Sequence, residues 1–195
     1  MNPSDTQPGC NSTARIVPTH MAHFVLRSAR YRDVVAWYQQ VLQAEIVFQN
    51  DQLTFITFDD EHHRAAIANT PDLPPKRGDT VGVDHIAYSY RNVSDLLHTY
   101  VRLKAAGILP FWCINHGPTT SIYYHDPEDN DVELQVDNYP HVAEAAAYFQ
   151  SEAFAHNPLG VEFDPDVLVR LWQAGMSDAT LCRQGIAPRG NAPAK

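Results

Sequence analysis

The chain has 195 residues, of which 44% are apolar and 19% are charged, as in ordinary globular proteins. Its 14 basic and 23 acidic residues give a net charge of −9, which argues against nucleic acid as the main partner because phosphate binding needs clustered Lys and Arg. No apolar run approaches the ~20 residues that span a bilayer, so no membrane partner is expected.

The N-terminus is polar and lacks the basic-then-apolar order of a secretion signal, so residues 1–17 are predicted to be a disordered leader. Three cysteines, Cys10, Cys113 and Cys182, lie far apart, and their odd number argues against a disulfide framework. No CxxC zinc pattern occurs in the sequence. These features favour a reducing, cytoplasmic setting.

An internal repeat organises the chain after the leader. The segment from Met21, MAHFVLRSARYRDVVAWYQQVLQA, aligns without gaps on the segment from Val83, VDHIAYSYRNVSDLLHTYVRLKAA. The aligned pairs include both polar and apolar residues: His23 with His85, Asp33 with Asp95, Val34 with Leu96, Val35 with Leu97, Tyr38 with Tyr100, and Val41 with Leu103. This agreement predicts two duplicated modules, residues 18–70 and 81–140, joined by a Pro-rich linker at 71–80.

Each module is predicted to be a βαβββ unit. In the first, the residues with apolar helical spacing are Val34, Val35, Tyr38, Val41 and Leu42. The predicted strands of this module are His23–Leu26, Ala44–Gln49, Leu53–Asp59 and His63–Ala68.

The second module repeats this order. Asn92 or Ser94 is a candidate N-cap for its helix, and Gly107 is a candidate residue just beyond the end. The predicted strands are His85–Tyr88, Pro110–Asn115, Thr120–His125 and Asp131–Val136.

A C-terminal extension, residues 141–195, follows the second module. Its Ala-rich start predicts one helix from His141 to Ala155, and Asp164-Pro165 predicts the start of another that ends at Gln173. The pattern favours a structural flap or a dimer contact over a catalytic element.

Two histidines at matching positions of the repeat and one strand carboxylate are candidate metal ligands. His23 and His85 occupy equivalent strand positions, and Glu133 lies on the polar face of the last predicted strand. Two imidazoles and one carboxylate leave the opposite coordination face open, which suits non-haem Fe(II) chemistry with O2. Mn(II) or another divalent metal is the alternative. His20 and His98 are assigned to ordinary structural roles.

The chain resembles the vicinal oxygen chelate superfamily, which contains glyoxalases, bleomycin- and fosfomycin-resistance proteins and type I extradiol dioxygenases. The matching stretches cover about residues 20–138, and the most specific is the DPxxNxxEL pattern that runs from Asp126-Pro127 to Glu133-Leu134. The resemblance implies an α+β fold. In it, two tandem βαβββ modules form one mixed-sheet, half-open barrel around a metal site, and here a helical C-terminal extension follows.

The number of protein ligands separates the activities of that superfamily. Glyoxalase-like members carry a carboxylate on the last strand of each module, whereas the first module here ends in HRAAIA, residues 63–68. Three ligands imply an Fe(II)-dependent extradiol dioxygenase that opens a catecholic ring with O2. Two alternatives remain open: a metal-dependent lyase, isomerase or epimerase with water as the fourth ligand, and a non-catalytic binding protein of the resistance type.

The resemblance also implies three catalytic residues. His63, with His62 as the runner-up, would accept the second catechol proton, since a histidine pKa lies near neutrality. His116 and Tyr123 would hydrogen-bond the substrate oxygen and the reacting intermediate. Exposed sheet edges and an apolar C-terminal helix favour a homodimer.

Overall fold

The structure is a computed structural model that describes residues 15–78 and 80–189. The predicted leader lies almost entirely outside this range, as do Cys10 and Asp79 of the linker. Within the described residues, no helix is both long and apolar enough to cross a membrane.

Each half of the repeat folds as a βαβββ unit, which confirms the α+β class and the duplication. The first module contains β1 (Phe24–Ser28), α1 (Tyr31–Leu42), β2 (Glu45–Gln49), β3 (Leu53–Thr57) and β4 (Ala65–Asn69). The second contains β5 (His85–Tyr90), α2 (Val93–Ala105), β6 (Trp112–Asn115), β7 (Thr119–His125) and β8 (Asp131–Asp137). Asn92 caps α2 by accepting a hydrogen bond from the Asp95 amide at 2.7 Å.

The modules form two hydrogen-bonded sheets instead of the expected single one. Their strand orders are β1-β4-β3-β2 and β5-β8-β7-β6-β9, where β9 (Val161–Glu162) belongs to the C-terminal extension. In each sheet the first and last strands of the module pair in parallel, and the other pairs are antiparallel. Side chains join the modules: the rings of Phe24 and Tyr88 lie 6.4 Å apart, and Arg102 donates to the Val41 carbonyl at 3.0 Å.

Helices α1 and α2 cover one face of the sheets with the apolar stripes that the repeat predicts. The buried residues of these stripes include Val34, Tyr38, Val41, Leu96, Leu97 and Leu103. On β8 the alternate residues Val132, Leu134 and Val136 join this core. Because strand side chains alternate, Glu133 and its odd-numbered neighbours point to the opposite face.

Asp126 organises the turn that leads into β8. Its buried carboxylate accepts hydrogen bonds from the backbone amides of Glu128 and Asn130, at 2.8 and 2.9 Å, and from the Asn130 side chain at 2.9 Å. The Tyr38 hydroxyl of α1 donates to the same carboxylate at 3.4 Å, so the turn also contacts the first module. This arrangement gives the DPxxN half of the sequence pattern a structural role.

Replacing Asp126 by Ala is expected to lower the free energy of unfolding by about 3 kcal/mol, because the buried Tyr38 hydroxyl and the part-buried donors of Glu128 and Asn130 lose their acceptor. Urea unfolding at neutral pH measures the difference. Asp72→Ala, at an exposed linker position, is the control and should change stability by less than about 0.5 kcal/mol. Equal stability of the two variants would contradict the role assigned to Asp126.

The C-terminal extension contains α3 (Val142–Tyr148), α4 (Glu152–His156), β9, α5 (Pro165–Gln173) and α6 (Asp178–Leu181). The single helix predicted from His141 to Ala155 is wrong. The first helix ends at Tyr148, and a second one begins at Glu152. Ser151 caps this second helix by accepting a hydrogen bond from the Phe154 amide at 3.2 Å, since serine favours caps over helix interiors. The predicted start of α5 is confirmed, with Asp164 as its N-cap.

Candidate active site

The candidate site lies on the face of the second sheet that the helices leave uncovered. The pairing of β5, β8 and β7 places Ala87, Glu133 and Tyr123 in one row across the sheet. His85 lies two residues before Ala87 and therefore points to the same face. The sheet register thus brings together residues that are distant in the sequence.

His85 and Glu133 are in direct contact. Nε2 of His85 lies 3.0 Å from Oε2 of Glu133, and the Glu133 side chain is buried, with 4% of the residue exposed. Nδ1 of His85 lies 2.7 Å from Oδ2 of Asp84. A carboxylate at Nδ1 orients the ring and leaves Nε2 available, which is the usual arrangement around a metal-binding histidine.

The donor atoms of this pair fit a divalent metal. Two ligand atoms that each lie about 2.1 Å from such a metal, at right angles, are about 3.0 Å apart. Burial of a carboxylate also costs free energy unless a cation or hydrogen bonds compensate for it. Asp84 was not predicted from the sequence as part of the site. The available signal was its position directly before the candidate ligand His85.

His23 and His63 form a second cluster, in the first module. Their rings lie 4.4 Å apart, and the ring of His63 stacks on Phe55 at 4.5 Å. His62 is exposed and lies 3.3 Å from Glu61, so His63 is the member of the pair that lies beside His23. Partial burial, and then the positive charges that His23 and His62 can carry, lower the pKa of His63.

The structure does not assemble three ligands at one point. Among residues 15–78 and 80–189, no group of three His, Cys, Asp or Glu side chains is close enough to hold a metal ion. His85 and Glu133 meet in the second module, whereas His23 precedes the first residue of β1 and is exposed. His63 likewise precedes β4 instead of lying within it. The set His23, His85 and Glu133 therefore stays a prediction.

His116 and Tyr123 adjoin the Glu133 cluster. Nε2 of His116 lies 3.1 Å from the Tyr123 hydroxyl, and the Tyr123 ring lies 5.4 Å from that of His85. Burial raises the pKa of Tyr123, and the negative charge of the nearby Glu133 carboxylate raises it further. The phenol is therefore protonated near neutral pH and can donate a hydrogen bond.

The first module has an apolar counterpart of the same row. His23 corresponds to His85 in the repeat, so the pairing of Val25 with Ala66 corresponds to that of Ala87 with Glu133. By the same register, Phe55 occupies the position of Tyr123. Ala66 thus occupies in the first sheet the position that Glu133 occupies in the second, and it offers no carboxylate there.

Comparison with known sequences finds dioxygenases. The sequence profile of the Glyoxalase/Bleomycin resistance protein/Dioxygenase superfamily matches residues 20–134. The chain is 44% identical over 155 residues to biphenyl-2,3-diol 1,2-dioxygenase 2 of Rhodococcus globerulus, which covers 79% of this chain and 82% of that protein. It is 37% identical over 173 residues to biphenyl-2,3-diol 1,2-dioxygenase 3 of the same organism, with 88% and 91% covered.

Solved structures show the same fold at low sequence identity. The fosfomycin resistance protein FosX of Listeria monocytogenes, solved with Mn(II) and sulfate, has a TM-score of 0.53 at 17% identity, covering 68% of this chain and 99% of that one. A glyoxylase/bleomycin resistance protein/dioxygenase domain from Frankia sp. EAN1pec also has a TM-score of 0.53, at 16% identity, with 64% and 96% covered. At these identities the likeness concerns the fold alone.

Proposed function

Because the chain belongs to the Glyoxalase/Bleomycin resistance protein/Dioxygenase superfamily, we propose that it is an extradiol ring-cleavage dioxygenase. It opens an aromatic ring beside, and not between, two vicinal hydroxyl groups and incorporates O2. The 44% identity to a biphenyl-2,3-diol dioxygenase over 79% of the chain carries this proposal. The contact of the Glu133 carboxylate with His85, together with Ala66 at the equivalent position of the first module, supports it.

The proposed substrate is a catechol that bears an apolar substituent. Phe48 and Phe55 lie on the first sheet with ring centroids 5.6 Å apart, and Trp112 lies 4.9 Å from Tyr123 on the second. Phe55 lies beside His63 and Trp112 beside Tyr123, so each polar group has apolar area next to it, which suits a ring with hydroxyl groups on one side only.

We propose that His23, His85 and Glu133 hold Fe(II), with Mn(II) or another divalent metal as the alternative. The metal would supply the electron transfer that connects the diol with O2. His63 accepts one proton from the diol at a ring nitrogen and later returns it to the product, and its lowered pKa favours the neutral form that this needs. The Tyr123 oxygen accepts a hydrogen bond from a substrate hydroxyl, while its own proton is directed at Nε2 of His116.

The adjacent histidines give a matched test of the proton acceptor. His63→Gln is expected to lower kcat by about 10²- to 10⁴-fold, because glutamine cannot accept a proton at neutral pH. His62→Gln changes the exposed neighbour, whose Nδ1 lies 2.6 Å from Nδ1 of His63, and should lower kcat by less than about tenfold because the proton-accepting ring of His63 remains. Steady-state oxygen uptake measures both variants. The reverse order would assign the role to His62 and contradict the choice of His63.

Oxygen consumption tests the proposed function. The protein is loaded anaerobically with Fe(II) and offered a panel of catechols that includes biphenyl-2,3-diol, while oxygen and visible absorbance are recorded. Diol-dependent uptake with a coloured ring-opened product is expected. If no diol supports uptake despite stoichiometric metal, the proposal is refuted, and turnover of a glutathione hemithioacetal would instead identify a lyase.

The proposed setting is a reducing cytoplasm, and the proposed assembly is a homodimer. Both described cysteines, Cys113 and Cys182, are free thiols, as a reducing setting allows. The edge strand β2 is exposed along its whole length, including the apolar Ile46 and Val47, and such an edge is a natural site of pairing between copies. Sedimentation velocity checks the assembly, and a monomer at micromolar concentration would contradict it.

A further inference from the structure

The C-terminal extension encloses the hairpin that carries His116 and Tyr123. Strand β9 pairs with β6, so that Val161 lies opposite Asn115. On the other side, the Gln184 side chain donates to the Asn115 carbonyl at 2.9 Å, and the Asn115 side chain donates to the Cys182 carbonyl at 2.8 Å. The residue before His116 is therefore held by the extension from two directions.

A four-residue loop of the extension, residues 157–160, reaches His116 itself. The Asn157 side chain closes this loop: its Nδ2 donates to the Gly160 carbonyl at 2.6 Å, and its Oδ1 accepts from the Gly160 amide at 3.1 Å. The closed loop presents the Leu159 carbonyl to Nδ1 of His116 at 2.5 Å. Leu159 lies 43 residues beyond His116 in the sequence, so the contact is a tertiary one.

This contact determines which nitrogen of His116 carries the proton. A carbonyl oxygen only accepts hydrogen bonds, so Nδ1 must be the protonated nitrogen. In the neutral ring, Nε2 then has a free lone pair. That lone pair faces the Tyr123 hydroxyl, 3.1 Å away, and accepts its hydrogen bond.

We propose that the loop 157–160 is a positioning element for the catalytic pair, which fixes His116 as the Nδ1–H tautomer with Nε2 directed at Tyr123 and the substrate. The inference rests on the proposed function and deepens it. It assigns the extension a part in catalysis, whereas the sequence favoured a flap or a dimer contact. No atom of the loop needs to touch the substrate for this role.

Gly160 makes the close approach of the loop possible. Its φ of 112° is one that side-chain-bearing residues rarely adopt, and a Cβ there would overlap the Asn115 carbonyl and lie 2.7 Å from Cα of His116. Gly175, at the end of α5, has a similar φ of 85°, but a Cβ there would meet nothing within 4 Å. Alanine at residue 175 therefore adds backbone strain alone, whereas alanine at residue 160 adds similar strain and also displaces the loop. The difference between the two variants measures the effect of the displacement.

Steady-state kinetics of the Fe(II)-loaded full-length protein gives the first test. Gly160→Ala is expected to lower kcat by about 10- to 100-fold, because a displacement of the order of 1 Å in a catalytic group has effects of this size. The KM and the iron content of Gly160→Ala should stay within about threefold of the parent values. The kcat of the control Gly175→Ala should also stay within about threefold of the parent. Asn157→Ala, which opens the loop without adding atoms, should lower kcat in the same direction.

Nitrogen-15 NMR of His116 gives a readout independent of turnover. The full-length parent is expected to show the Nδ1–H tautomer when neutral, and Gly160→Ala and Asn157→Ala are expected to lose it. A double-mutant cycle tests the connection to catalysis: in a His116→Gln background, Gly160→Ala should cause no further loss of kcat, because the loop acts through the histidine.

The outcomes separate the two proposals. A parent protein that consumes no oxygen with any diol refutes the proposed function. An active parent whose Gly160→Ala variant equals Gly175→Ala in kcat, or keeps the Nδ1–H tautomer, refutes the positioning role alone. Additive losses in the double-mutant cycle would also overturn it. If Gly160→Ala does not fold, Asn157→Ala decides by the same two readouts.

Discussion

Glu133→Gln is expected to abolish both iron retention and diol-dependent oxygen uptake. Glutamine keeps the shape of the side chain and one acceptor oxygen, so the loss reports mainly on the negative charge. Glu133 is buried and pairs with Nε2 of His85 at 3.0 Å. It is also the carboxylate nearest to Tyr123 in the row across the sheet. A divalent metal loses its anionic ligand when this charge is removed.

Thermal unfolding separates metal loss from misfolding. A ligand that binds only the folded state at 100 times its Kd stabilises that state by about 2.7 kcal/mol. Fe(II) should therefore raise the Tm of the parent and leave that of Glu133→Gln unchanged. Without metal, the variant should still unfold cooperatively, which would show that the loss of iron is not a loss of the fold.

The control for Glu133 lies two residues along the same strand face. Gln135 donates to the Ser89 hydroxyl at 2.8 Å, so Gln135→Ala removes a polar side chain near the site without removing a charge. It should keep both iron and oxygen uptake. Stoichiometric iron in Glu133→Gln, with uptake equal to that of Gln135→Ala, would contradict the ligand assignment.

The fold followed from the sequence where the signals were local and occurred twice. The helical spacing of Val34, Tyr38 and Val41 recurs in α2, and strand boundaries agree to within a few residues. The division into two sheets depends on hydrogen bonds between distant strands, which no local pattern encodes. The break before α4 occurs because the Ser151 side chain caps a new helix instead of lying within a continuous one. The Ala-rich composition around it favoured the prediction of a single helix.

The parts of the candidate site that consist of side chains could be predicted from the sequence, because residue type and spacing indicate them. His85, Glu133, His116 and Tyr123 were named from the sequence. The register of β5, β7 and β8 gathers His85, Glu133 and Tyr123, and His116 joins them through its contact with the Tyr123 hydroxyl. His23 stands in the other cluster, beside His63. The Leu159 carbonyl could not be predicted, because a backbone oxygen has no residue signature and the contact depends on the conformation of a distant loop.

The divergence of the two modules leads to the second prediction, for Ala66→Glu. Ala66 occupies the position in the first sheet that Glu133 occupies in the second, and it is 3% exposed. Its strand neighbour Val25 is 57% exposed, so a longer side chain can extend along the open face. Glutamate at this position would restore the second strand carboxylate of glyoxalase-like relatives.

Ala66→Glu is expected to retain divalent metal and to lose diol-dependent oxygen uptake to the background level. A fourth protein ligand would occupy part of the coordination face that the proposed ligands His23, His85 and Glu133 leave open, and the proposed reaction needs that face for the diol and O2. Ala66→Gln is the matched control because it adds nearly the same volume without the charge. A loss of oxygen uptake that both variants show would therefore measure the effect of crowding. Metal analysis and an oxygen electrode measure both variants.

The comparison of Ala66→Glu with Ala66→Gln decides between two explanations of the three-ligand count. If only the glutamate variant loses uptake while it keeps metal, then the absence of a carboxylate at residue 66 keeps the site open for two co-substrates. If both variants take up oxygen equally, the residue-66 side chain does not reach the metal, and the count cannot explain the reaction type. The preference for ring cleavage would then have to come from the second module, where His116 and Tyr123 lie, and from the loop 157–160 of the C-terminal extension.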